Sequence, residues 1–97
     1  MGPSRAVAGP YRVEWSGPAA RRMDHLARSH PKVTAAVVEF VYGPLATDPI
    51  RVGKALRGQL AGLRSARRGD YRILYRVEAD AIVVEAVGHR GAVYRGG

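Results

Sequence analysis

The sequence predicts an α+β fold: an antiparallel four-stranded sheet with an N-terminal helical hairpin packed on one face, in the order β-α-α-β-β-β. Three observations carry this. Tyr71-Arg72-Ile73-Leu74-Tyr75-Arg76-Val77 follows a Gly69-Asp70 turn and is rich in the residue types that fit a pleated surface. Between Ser16 and Tyr42, two stretches place apolar residues at helical spacing. From Gln59 to His89, strand-like runs are joined by short polar turns, which makes a meander.

Each element has a local reason. Tyr11-Arg12-Val13-Glu14-Trp15 alternates and reads as a first strand. Ser16 is a favoured helix N-cap, and Pro18 sits where a helix needs no N–H. Ala19, Ala20, Met23, Leu26 and Ala27 then form an apolar stripe, with Arg21, Arg22, Asp24 and Arg28 on the other face. Ser29-His30-Pro31 separates this helix from a second, which carries Val33, Ala36, Val37, Phe40 and Val41 and is expected to stop at Gly43-Pro44. Residues 45–58 read as a surface loop. Strands follow at 59–67, 71–77 and 81–89, and the strand after the helices is expected to run antiparallel to the first.

Strand geometry sends alternate side chains to opposite faces. Tyr71, Ile73, Tyr75 and Val77 therefore share a core face, and Arg72, Leu74, Arg76 and Glu78 share the other.

A chain of 97 residues forms at most one domain with one core. Residues 1–10 read as a flexible leader and 11–97 as the domain. Without cysteine there are no disulfides and no thiolate metal sites, which suits a reducing cytoplasm. No apolar run approaches the ~20 residues a membrane helix requires. The net charge is +8, and fourteen of the sixteen basic residues are arginine. The excess is uneven: residues 1–49 are net +2 and residues 50–97 net +6. High-GC coding explains Arg in place of Lys but not the asymmetry. A basic half is the footprint of a polyanion partner.

Pairing of the last two strands brings Arg72 towards Gly88-His89-Arg90, with Tyr94 in the tail beyond. Arg64, Arg67 and Arg68 end the neighbouring strand. The three histidines are isolated and no carboxylate spacing suits a two-metal site, so no metal or other cofactor is expected. Arg, Tyr and His without a metal point to RNA cleavage, because the RNA 2′-OH is itself the nucleophile. The protein then has to orient the sugar, stabilise the phosphorane and manage two protons. Plainer roles stay open: Arg72 and Arg90 binding an acidic partner, His89 satisfied at a strand end, Tyr94 at the core edge, Lys54 and Arg57 as surface charges.

Lys54-Ala55-Leu56-Arg57-Gly58, Gly69-Asp70-Tyr71-Arg72-Ile73-Leu74-Tyr75, Val87-Gly88-His89-Arg90 and Val93-Tyr94 together resemble the RelE/ParE toxin superfamily, from about Tyr11 to Tyr94. The set is most similar to the RelE type. That resemblance implies a metal-independent endoribonuclease that cuts mRNA in the ribosomal A site. It implies a cytoplasmic toxin held in a hetero-oligomer by a RelB-like antitoxin. It gives Arg72 the phosphorane, Arg90 the leaving group and Tyr94 the stacking or orientation of the RNA. Arg64, Arg67, Arg68, Lys54 and Arg57 become RNA-binding residues. Arginine is a poor general base because it stays protonated, which makes His89 the candidate for that role. ParE-type members share the fold but inhibit DNA gyrase, and a plain RNA-binding module is the third alternative.

Overall fold

The structure, a computed structural model, describes residues 10–89. The leader expected over residues 1–10 thus falls, except for Pro10, outside the described residues. So do Arg90 and Tyr94.

The chain begins with β1 (Arg12–Trp15) and enters α1 (Gly17–Ser29) through the expected cap: the Ser16 hydroxyl accepts from the Ala19 N–H at 3.2 Å. α1 buries Ala19, Met23 and Leu26. His30 closes it by donating its N–H to the Leu26 carbonyl at 2.7 Å, and α2 (Pro31–Phe40) starts at the next residue. Gly43-Pro44 does not stop the helical path. The backbone widens into a π-helical turn over Val41–Leu45 with Pro44 inside it. Val41 and Leu45 are both fully buried. Burying a large aliphatic side chain stabilises by about 1.5–3 kcal/mol, which offsets the hydrogen bond that Pro44 cannot donate.

The segment expected to be loop holds a short helix, α3 (Pro49–Val52), capped by Asp48, and a two-residue strand, β2 (Lys54–Ala55). A 3₁₀ turn over Gly58–Leu60 and Gly62, at φ +95°, delay the next strand, β3, to Arg64–Arg68. β4 (Tyr71–Glu78) and β5 (Ala81–His89) complete the meander. Gly69, at φ +62°, occupies the first position of the two-residue turn between β3 and β4, where a glycine relieves the steric cost.

The sheet has five strands in the order β1-β5-β4-β3-β2. β1 pairs parallel with β5, and the other pairs are antiparallel. The α+β class with a helical hairpin on the sheet stands, with one more strand and one parallel pair than the sequence suggested. β3 runs the same way as β1, contrary to expectation. The strand that follows the helices is β2, and it does run opposite to β1. Arg12 fastens β1 to the β4–β5 turn through an ion pair with Asp80 at 3.1 Å, and that guanidinium holds the Asp80 carboxyl below its usual range.

The core lies between the helices and one face of the sheet. Ile73 and Tyr75 are fully buried in it, with Tyr71 and Val77 packed at its margin, as alternation predicted. The β4–β5 register shifts between Leu74, opposite Ala86, and Tyr75, opposite Val84. Glu85 is the extra residue of this bulge. The bulge resets the parity of β5, so that Ile82 and Val84 before it and Val87 after it all reach the core.

Candidate nucleic-acid interface

Because Ile73 and Tyr75 face the core, Arg72 must face away from it. Register then decides its neighbours. Arg67 stands opposite Arg72 across β3 and β4, and Lys54 stands opposite Ser65 across β2 and β3. These residues line one cleft of about 340 Å³, together with Val52. Among the described residues its lining contains three cationic side chains and no carboxylate. Like charges placed opposite one another across strands are destabilising. Arg72 Nε is also buried with no hydrogen-bond partner among the described residues. A buried donor without a partner is rare and costs stability. A phosphate bridging the exposed ends of the two guanidiniums would relieve the repulsion through charge-assisted hydrogen bonds.

The same sheet face changes character a few residues on. Arg76 is ion-paired with Glu78 and, at 2.6 Å, with Glu85. Among the described residues of this face, the uncompensated charge therefore lies at the Arg67/Arg72/Lys54 end.

His89 is not part of that cleft. Its register partner is Tyr71, and its ring meets the Tyr71 ring edge-on with centroids 5.7 Å apart. Tyr71 packs on the core, so His89 shares the helix side of the sheet and is directed away from Arg72. The expectation that His89 joins Arg72 fails on this parity. Arg64 is also turned away. Its Nη2 donates to the carbonyls of Ile50 at 2.6 Å and Gly53 at 3.0 Å, so it holds α3 rather than offering a free cation. Arg68, opposite Tyr71, lines a groove against Val33, Ala36 and Val37 on the helix side. Arg57 is exposed before the 3₁₀ turn and outside the cleft lining. Of the five expected RNA-binding residues, Lys54 and Arg67 come together with Arg72. Arg90 and Tyr94 lie outside the described residues.

Sequence reasoning missed Ser65 and Val52 in the cleft wall. It also missed the reason Lys54 reaches it. A two-residue strand has no periodicity to detect, and the available signal was Gly53, a glycine beside a strand, which marks close backbone approach. A Cβ on Gly53 would stand 2.1 Å from the Tyr75 hydroxyl and 2.9 Å from the Ser65 carbonyl oxygen. The Tyr75 hydroxyl donates to the Pro49 carbonyl at 2.6 Å. Burial pushes this phenol above its ordinary pKa, and the nearby Arg64 guanidinium opposes that rise. Among the described residues no group of three His, Cys, Asp or Glu is placed to hold a metal ion, and no helix is long and apolar enough to cross a membrane.

Known proteins share this fold. Residues 13–94 match the family model described as the ParE toxin of the type II toxin-antitoxin system, parDE. The chain is 47% identical over 88 residues to Toxin RelG of Mycobacterium tuberculosis, covering 89% of this chain and 98% of that protein. It is also 47% identical over 88 residues to Toxin RelE of the same organism, covering 89% and 88%. The solved toxin-antitoxin complex RelBE2 from M. tuberculosis contains a chain with 47% identity and a TM-score of 0.77, covering 84% of this chain and 92% of that one. The ParDE system of P. aeruginosa, at 20% identity and a TM-score of 0.62, shares the fold. The chain belongs to the ParE toxin family of type II toxin-antitoxin systems, within the RelE/ParE superfamily.

Proposed function

We propose that this chain is a RelE-type toxin that cleaves mRNA in the ribosomal A site without a metal. The observation that carries this is the cleft in which Arg72 and Arg67 stand opposite each other beside Lys54, with no carboxylate in its lining among the described residues. The 47% identity to proteins named RelE and RelG supports it over the gyrase-inhibiting reading. In the reaction, the RNA 2′-oxygen attacks the adjacent phosphorus and the bond from phosphorus to the 5′-oxygen breaks. The 2′-hydroxyl gives up its proton to solvent, the 5′-oxygen takes one up, and the products are a 2′,3′-cyclic phosphate and a 5′-hydroxyl. Arg72 stabilises the charge that accumulates on the phosphorane oxygens. Arg67 and Lys54 hold the flanking backbone. Arg90 protonates or stabilises the leaving group, and Tyr94 stacks on or orients the RNA.

The cellular partner is a RelB-like antitoxin in a cytoplasmic hetero-oligomer. Its segment over the basic half is amphipathic and partly acidic, and it folds on binding. The net +6 of residues 50–97 motivates this, and association should slow as salt is added.

The test is to map mRNA 5′ ends after brief expression of the protein. Codon-phased cuts within reading frames are expected. Intact mRNA with broken or supercoil-altered DNA would establish the gyrase reading instead. Intact mRNA and intact DNA, with RNA still bound, would reduce the protein to a binding module.

A further inference from the structure

Side chains outside the cleft lining bind the segment that leads into Lys54. Lys54 belongs to an edge strand of two residues, too short to hold its own position. Three contacts tie the chain just before it to the sheet. The buried Tyr75 hydroxyl, on β4, donates to the Pro49 carbonyl at 2.6 Å. Arg64, on β3, donates to the carbonyls of Ile50 and Gly53. Gly53 lies flat against the Tyr75 hydroxyl and the Ser65 backbone, where no larger residue fits. Lys54 follows immediately, opposite Ser65, and Leu56 then donates to the Leu63 carbonyl at 2.9 Å. All three contacts are made on the helix side of the sheet or at its edge, whereas the Lys54 side chain lines the opposite, open face.

We propose that Tyr75 and Arg64 are positioning residues for the basic cleft: they hold residues 49–53 to the sheet so that Lys54 engages the same nucleic-acid backbone as Arg67 and Arg72. This rests on the RNA-directed reading given above. The β2 edge is thus set by side chains from the sheet centre, and loss of the clamp costs the cleft one phosphate contact without touching its arginines.

The experiment measures binding of a mixed-sequence single-stranded RNA oligonucleotide over a series of salt concentrations. For single strands, each phosphate contact contributes about 0.7 to the slope of log affinity against log salt. Lys54→Gln should lower the slope by about that amount. Tyr75→Phe, which keeps the ring and removes only the hydroxyl, should lower it by a similar amount. The double variant should match Lys54→Gln alone, because the clamp acts through Lys54. A wild-type slope in Tyr75→Phe, or a double variant with both decrements added, overturns the proposal.

Amide hydrogen exchange reads the clamp independently of RNA. In Tyr75→Phe the Leu56 amide should exchange faster while β4–β5 amides keep their protection. An unchanged Leu56 amide overturns the clamp. Arg64→Lys, which keeps the charge but loses the planar fork, should show the same pattern. It decides the matter if Tyr75→Phe loosens the whole sheet. If Arg72→Gln leaves RNA affinity unchanged, the RNA-directed reading fails, and with it the role of Lys54. A faster Leu56 amide would then still establish the clamp as a structural device.

Discussion

Arg67 and Arg72 stand directly opposite each other across β3 and β4, on the face the helices leave open. Among the described residues no carboxylate lines that cleft, so the pair carries a repulsion that a bound anion would relieve. Arg72→Gln should therefore lower single-turnover mRNA cleavage on ribosomes by roughly 10²–10³. It should leave the melting temperature at low salt unchanged or higher. Retained cleavage would remove Arg72 from the reaction. A collapse in melting temperature would mean that Arg72 serves the fold.

His89 is the contrasting case. Its ring packs edge-on against Tyr71 on the helix side, away from the face that carries Arg72. His89→Gln should give pH–rate profiles that superimpose on wild type in pre-steady-state cleavage. The loss should appear in stability instead, at about 0.5–1.5 kcal/mol for the aromatic pair. A flattened acid limb in the variant would restore His89 as a proton acceptor.

Glu85 limits the basic surface. As the bulge residue of β5 it reaches Arg76 at 2.6 Å and, with Glu78, neutralises the arginine that would otherwise extend the cleft along the sheet. Glu85→Gln should raise affinity for non-specific single-stranded RNA at low salt. It should steepen the salt slope by about 0.7, one additional phosphate contact. An unchanged slope would mean that Glu78 alone is enough to mask Arg76.

The parts of this molecule that were legible from sequence are those with periodicity. The Tyr71/Ile73/Tyr75/Val77 face and the Ser16 cap were fixed by alternation and by local hydrogen-bonding chemistry, and both hold in the structure. The π-helical turn was not legible, because the burial of Val41 and Leu45 that carries the chain through Gly43-Pro44 is a tertiary effect. β2 was invisible because two residues carry no periodicity and the strand exists only through its pairing with β3. Counting arginines at one end of a meander could not separate Arg67, on the open face, from Arg64 and Arg68, on the helix side. One residue of register decides that. The bulge at Glu85 hides a further shift of the same kind.

The Tyr75 hydroxyl gives the clamp a pH signature of its own. It is buried and donates to the Pro49 carbonyl, so only the neutral phenol can make this bond. Tyr75→Phe at neutral pH removes this hydrogen bond from the interior, a loss of about 0.5–1.5 kcal/mol. Burial raises the folded pKa of Tyr75 above the ordinary value of 10.0, so the native state holds this proton more tightly than the unfolded chain does. Its contribution to stability is then complete below the ordinary value and is lost as pH rises towards and through the folded one. Wild type should exceed Tyr75→Phe by a constant margin from neutral pH to just below the ordinary tyrosine value. Above it the margin should shrink steadily. The other tyrosines are common to both proteins and cancel in the difference. Urea unfolding of the two proteins at matched pH values measures the margin. A margin that stayed level or widened in alkali would mean that the buried hydroxyl is not the donor holding α3 to the sheet.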